Sequence, residues 1–295
     1  MAIAYWSIGL ESLFHSCTCI GVTWATMSIF KGSLNSTIFL YIFHLSYLLA
    51  GYYFTATTGY DITWTMPGCV LCLRMIGIAA DLHDGTKNAQ ELSKDQKENA
   101  LETVPSLLEI CSQSFFIGGY FVGPQFSMKK FQNFLQRNIQ EDLPPSRRFA
   151  FKRLAIGCCY LLGHLIGDKY LVPVGFVESQ EFMNLGFLTK SFYFSVWVKI
   201  ILAKYISAWL LAEGAVILSG LAYNGKWEDG SIKWNGGANV RLRIFEKSSR
   251  FQHLIDSFNI NTNSWVMSYV YKRLRFLNNR MLSQLGALVR NNFDL

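Results

Sequence analysis

Polar positions divide this chain into long apolar stretches separated by short charged ones. Residues 2–29 are apolar apart from Glu11, His15 and a few small polar side chains. Between Lys31 and Asp61, His44 is the one ionisable side chain besides tyrosine. A bilayer crossing takes about 20 apolar residues, so this second stretch predicts a membrane-spanning helix. Asn35-Ser36-Thr37 between the two forms a glycosylation sequon, a triplet that also arises by chance. Pro67 suits the first turn of a third helix, which the apolar pattern carries to Ala80 with Arg74 inside it. Asp81-Leu82-His83-Asp84-Gly85 ends it, and the polar residues 86–102 predict an exposed loop. Another apolar stretch opens at Pro105-Ser106-Leu107-Leu108-Glu109 and breaks at Gly123-Pro124-Gln125. Within it, Gly119 and Gly123 stand at the small-xxx-small spacing that lets helices approach closely. Residues 129–153 read as a second polar loop and 154–167 as a short apolar segment holding His164. Residues 182–225 read as a long aromatic stretch whose cleanest part, 205–221, contains Glu213. A glycine- and tryptophan-containing loop follows over 225–237. No repeat or linker divides the chain, so residues 1–295 are expected to form one domain.

The stretch 257–284 has a different pattern. Asn259, Asn261 and Asn263 alternate, and Trp265 follows. Val266, Tyr269, Val270, Leu274 and Leu277 recur at helical spacing among Lys272, Arg273, Arg275 and Arg280. This predicts an amphipathic helix with cations on its polar face. Such cations fit either a snorkelling helix at the membrane surface or a basic run that attracts phosphates. Asparagines beside an apolar helix are costly in a membrane unless paired or functional.

Composition sharpens the class. The chain is 51% hydrophobic, 15% aromatic and only 16% charged, where soluble domains carry about 25% charged residues. An all-α, polytopic membrane protein is expected. The net charge of +7 fits loops that face anionic lipid. Nucleic acid as a partner would need a basic patch on a soluble fold, which the pattern does not predict. Seven cysteines lie in or beside apolar segments, and the pair Cys69-x-x-Cys72 has no second pair at zinc-finger spacing. They read as small buried hydrophobes, so no metal and no bound cofactor are expected. The absence of a glycine-rich phosphate loop and of a Gly-x-Ser-x-Gly elbow weighs against soluble nucleotide and hydrolase chemistry. His15, His44, His83 and His164 are scattered and expected to be structurally satisfied or solvated, and a polar loop explains His253. Arg74 is a candidate partner for a carboxylate such as Glu109 or Glu213. The opening residues lack the basic start of a signal peptide.

Phe258-Asn259-Ile260-Asn261-Thr262-Asn263, then Trp265 and Lys272-Arg273-Leu274, resemble the asparagine motif of the membrane-bound O-acyltransferases, in particular the lysophosphatidylcholine acyltransferase 3 type. Further blocks match in order: Tyr60-Asp61-Ile62, Trp64-Thr65-Met66-Pro67, Asp81 with Asp84-Gly85, Pro105 to Glu109, Val122 to Met128, Glu213-Gly214, Asn224-Gly225 and Lys233-Trp234. The resemblance implies a multi-helix bundle around a buried acyl-transfer chamber, multi-pass in the endoplasmic reticulum membrane. It implies acyl-CoA as co-substrate, a lysophospholipid such as lysophosphatidylcholine as acceptor, and membrane lipid around both. It makes Asn259 one of two catalytic residues; the other is a histidine in a Trp-His-Gly motif. This chain follows the family to Gln284, diverges over 285–295 and does not contain that motif. The resemblance therefore makes it a partial domain, shortened at both ends, with little activity expected. Gln125, Glu213 and Trp265 are candidates for the substrate tunnel, with structural pairing the alternative for Gln125 and Glu213. Lys272, Arg273 and Arg275 are candidates for the CoA phosphates. The alternative function is a non-catalytic lipid- or partner-binding membrane protein, a truncated isoform or pseudoenzyme.

Overall fold

The computed structural model describes residues 9–55, 63–140 and 143–274. Its helices are α1 (Leu10–Phe30), α2 (Leu34–Thr55), α3 (Thr65–Asp84), α4 (Lys94–Asn99), α5 (Leu107–Ser114), α6 (Met128–Gln140), α7 (Arg147–Tyr170), α8 (Gln180–Met183), α9 (Phe187–Ser219), α10 (Leu242–Glu246), α11 (Phe251–Ser257) and α12 (Ile260–Val266). A π-helical turn, Met267–Tyr271, continues α12. Among the described residues there is no β-strand, only the isolated bridges of Lys226 with Ile232 and Val240 with Phe258. By length and composition, α1, α2, α3, α9 and the stretch Arg147–Glu178 that begins with α7 are able to cross a membrane. The chain is an all-α polytopic membrane protein.

Helix α3 is the axis. Leu71, Cys72, Met75, Ile76, Ile78, Ala79 and Leu82 are all buried, and so are Arg74, Asp81 and Asp84, so the helix is covered on every side, as a helix in a core is. The other spans keep an open face: Phe14 on α1, Phe39 on α2, Leu162 on α7 and Phe192 on α9 are exposed. Such faces suit lipid. The main core runs from Ile20 and Met27 of α1 through Leu40 and α3 to Ile110, Met128, Phe131 and Val216. Helices α7 and α9 pair antiparallel, with Gly157 against Leu210 and Gly167 against Ile200. A Cβ on Gly167 would come within 2.7 Å of Ile200, and one on Gly214 within 2.6 Å of Leu154. Small residues here let two spans close on each other.

Four sequence expectations are corrected. First, α3 runs on to Asp84, because Asp81 and Asp84 find buried partners instead of ending the helix. Second, only Leu107–Ser114 of the 105–123 stretch is helical. Glu109 and Ser106 form a reciprocal cap at its start, and Gly119 and Gly123 lie beyond it on irregular backbone. The close-approach glycines are those of α7 and α9. Third, residues 129–153 are mostly helical, in α6 and the start of α7, with Met128 and Phe131 buried. Fourth, the apolar segment 154–167 is the middle of the 24-residue α7.

Candidate active site

The asparagine stretch is fastened to α3 by polar side chains. Trp265 Nε1 donates to Leu73 O at 2.9 Å. Tyr269 donates its hydroxyl to Asp81 Oδ2 at 3.0 Å, and its own carbonyl accepts from Tyr41 at 2.8 Å. Arg273 grips Asp84 with two parallel bonds, of 3.0 and 2.6 Å. Bidentate pairs of this kind are strong and geometrically specific. Asp84 is fully buried and also accepts from Gln96 at 3.1 Å, with Lys87 at 3.6 Å. Trp265 and Val266 pack on Cys72 and Ile76 beside these bonds. Burial and the Asp81 carboxylate hold the Tyr269 phenol well above its usual range, so it stays a donor.

The three asparagines differ in what they are used for. Asn261 donates Nδ2 to Ala238 O at 3.0 Å, and its backbone N–H goes to Asn239 Oδ1 at 2.8 Å. Asn263 donates to Ile255 O and Phe258 O, both at 3.2 Å. These two amides fix the chain. Asn259 is the N-cap of α12, half-buried, in the left-handed conformation at φ 52° and ψ 44°. Asparagine is one of the few L-residues that visits this region readily. Among the described residues, its side chain takes one long contact, with Asn239 Nδ2 at 3.5 Å. An N-cap asparagine ordinarily accepts from the first turn; this one does not, so its amide stays available.

Between α3 and the asparagine segment lies a cavity of about 200 Å³. Asn261, Ser264, Trp265, Ser268 and Tyr269 line one side, with Arg74, Gly77, Gln125 and Lys130 opposite. Two tunnel candidates, Gln125 and Trp265, thus share one cavity, and Gln125 also donates to Val70 O at 2.8 Å. Asn259 sits at the cap two residues before Asn261 and is not on the wall. Glu213 stands elsewhere, buried on α9 and 3.1 Å from Arg153 of α7. Among the described residues, Arg74 pairs with no carboxylate. It donates to three carbonyls, Gln113, Ser114 and Gly119, at 2.8, 3.2 and 3.0 Å, and lies over the Phe126 ring. Glu109 accepts from Gln132 at 2.8 Å.

Of the cations proposed for CoA phosphates, Lys272 is engaged by Asp95 and Arg273 by Asp84, away from the cavity. Arg275, Arg280 and Leu277 lie outside the described residues. The expected amphipathic helix is α12 and its π turn, with the first two cations turned onto carboxylates. His15 stacks on Trp64, His44 bonds Thr23, His83 meets Gly32 O and His164 meets Ile200 O. His253 is exposed on α11. Among the described residues, no three or more His, Cys, Asp or Glu side chains group as metal ligands. Sequence reasoning missed Asn239 and Lys130. Asn239 stands alone in a loop and Lys130 in a polar run, so neither carries a local signal. Asp81 and Asp84 did carry one, two acids directly after an apolar helix, but they read as a stop.

Residues 49–289 match the membrane-bound O-acyltransferase family. The chain is 41% identical over 287 residues to lysophospholipid acyltransferase 5 of Homo sapiens, covering 96% of this chain and 58% of that protein. It is 41% identical to the Drosophila melanogaster protein of the same name, over 97% of this chain and 57% of the relative. A lysophospholipid acyltransferase of Schizosaccharomyces pombe is 29% identical over 214 residues, 70% of this chain and 42% of that protein. The chain thus spans under three-fifths of the length of these relatives. With the family matched over most of its residues and the asparagine segment fastened to its central helix, this chain belongs to the membrane-bound O-acyltransferase family.

Proposed function

We propose that this chain carries the asparagine half of an acyl-transfer centre that works on lysophospholipids with acyl-CoA, in the endoplasmic reticulum membrane. One observation carries the reading. Asn261 and Asn263 spend their amides on backbone, while Asn259, two residues before the Asn261 that lines the cavity against α3, keeps its own for a substrate. In the reaction the lysophospholipid hydroxyl oxygen attacks the thioester carbonyl carbon. The hydroxyl proton passes to a base, the C–S bond breaks, and free CoA thiol leaves. An amide donor at position 259 stabilises charge on the carbonyl oxygen, or orients the hydroxyl, where water is excluded. In this reading the base is the histidine of the family's Trp-His-Gly motif, which these 295 residues do not contain. The polypeptide by itself is therefore expected to transfer little.

The test uses two proteins. In vesicles with labelled acyl-CoA and lysophosphatidylcholine, the 295-residue polypeptide is expected to form ester at background level. Robust turnover lost on His253→Ala would overturn these roles. Grafted into the human relative in place of its matching stretch, the chain is expected to support transfer. Asn259→Ala should then cut it by roughly 10²-fold or more. An active graft indifferent to Asn259→Ala would sink the proposal.

A further inference from the structure

The asparagine cap is held from a second side, by the segment 238–241. Val240 is buried against Ile206 and Leu210 of α9 and Phe245 of α10. A β-carbon on Gly237 would stand 3.2 Å from Val216 of α9. Packing thus anchors this segment on α9, independently of the clip to α3. It runs antiparallel to the start of the asparagine motif. Val240 bridges Phe258, Arg241 N–H donates to Ser257 O at 2.8 Å, and Ile260 N–H donates to Asn239 O at 3.1 Å. These bonds bracket position 259 and set where its left-handed turn stands. Asn239 is itself buried, at 5% exposure, and a buried amide is ordinarily satisfied at both ends.

The two ends of the Asn239 side chain are not interchangeable. A backbone N–H only donates, and that of Asn261 lies 2.8 Å from one end, which is therefore the oxygen. The other end is then the NH2, a donor, and it stands 3.5 Å from the Asn259 side chain. A donor draws an oxygen toward it, so Asn259 turns Oδ1 to Asn239 and carries its own NH2 on the far side. At that length the contact contributes direction more than strength. We infer that Asn239 is a positioning residue for acyl transfer: it holds the oxygen end of the Asn259 amide and leaves the NH2 end for the substrate. This rests on the reading of Asn259 as the working amide and narrows it, since an amide so turned offers a substrate oxygen a donor and not an acceptor. With both of its ends taken up inside the chain, Asn239 acts on the substrate only through Asn259.

Asn239→Asp separates the two ends. Its carboxylate still accepts from Asn261 N–H, but it sets an acceptor where Asn239 has a donor, which turns the Asn259 amide round. In the grafted enzyme, Asn239→Asp is expected to lower kcat by about tenfold or more, the scale on which a misplaced reacting group acts. KM for both substrates should stay within about threefold. Asn239→Ala removes the donor without adding a charge and is expected to act in the same direction. The deciding measurement is the cycle with Asn259→Ala, run at enzyme concentrations that keep the slowest double variant above background. Once position 259 is alanine, either change at Asn239 should alter kcat by less than about twofold, whereas damage to packing would multiply the two losses. Melting of the 295-residue chain in detergent shows which variants fold, and Asn239→Ala carries the cycle if a buried charge unfolds Asn239→Asp. Losses that multiply, or Asn239 variants with the parent kcat in a graft that Asn259→Ala silences, would overturn the positioning role and leave that of Asn259 standing. Two unfolded variants would make Asn239 structural and overturn it as well. An active graft indifferent to Asn259→Ala would sink both.

Discussion

Asn259 combines a backbone role and a side-chain role that substitution can separate. At φ 52° a β-carbon is strained, by about 1 kcal/mol or somewhat more for a residue such as alanine. Glycine takes the conformation freely. Asn259→Gly is therefore expected to melt above Asn259→Ala in detergent, while both lose transfer equally in the grafted enzyme. Equal melting would mean the left-handed cap is not needed; unequal activity would mean the amide is not the chemical group. The neighbouring amides show how far one residue's role is readable. Three alternating asparagines are conspicuous in sequence, yet nothing in their spacing says that Asn261 and Asn263 serve backbone and Asn259 does not. That division depends on Asn239 and Ala238, brought to Asn261 from a loop about 20 residues earlier, and on the Ile255 and Phe258 carbonyls that turn toward Asn263.

At the scale of elements, the asparagine segment is held to α3 at Trp265, Tyr269 and Arg273, one contact per turn. Removing Arg273 leaves a fully buried carboxylate with weaker partners. Asp84→Asn and Arg273→Gln are expected to couple by about 1–3 kcal/mol in a double-mutant cycle. Arg273→Gln alone should raise hydrogen exchange over 265–274 while leaving α7 and α9 protected. Additive effects, or exchange spread over the whole bundle, would refute the clip. The long apolar spans were legible in sequence because period and length suffice to define them. The polar helices were not. In α6 and at the C-terminal end of α3, charged side chains looked like loop and turned out to face cavities or buried partners. Gly119 and Gly123 had the right spacing for helix packing, but Arg74 draws the carbonyls of Gln113, Ser114 and Gly119 around itself and the chain there leaves helical geometry. Long-range pairing decided these cases, and a one-dimensional pattern does not contain it.

At the scale of the whole molecule, the exposed apolar faces of α1, α2, α7 and α9 define a surface suited to lipid. Cys17, Cys158 and Cys159 are exposed on spans, whereas Cys19 and Cys72 are buried. In vesicles, none of these five is expected to react quickly with a water-soluble maleimide, because lipid covers the exposed three and the core covers the other two, and the reagent reaches neither. A cysteine placed by Asp229→Cys in the exposed 225–237 loop should label at once after permeabilisation. Rapid labelling of Cys158 or Cys159 in intact bilayers would mean that α7 faces water. The central position of α3 has a further consequence, in time. Arg74 waits for carbonyls 39 to 45 residues downstream, and Asp84 for an arginine 189 residues later. At ribosomal speeds of about 5–20 residues per second, that second interval is roughly 10–40 s. Until then Asp84 has Lys87 and Gln96 for partners and Asp81 lacks the Tyr269 hydroxyl, so the most central span completes its polar contacts only when almost everything described here has been synthesised.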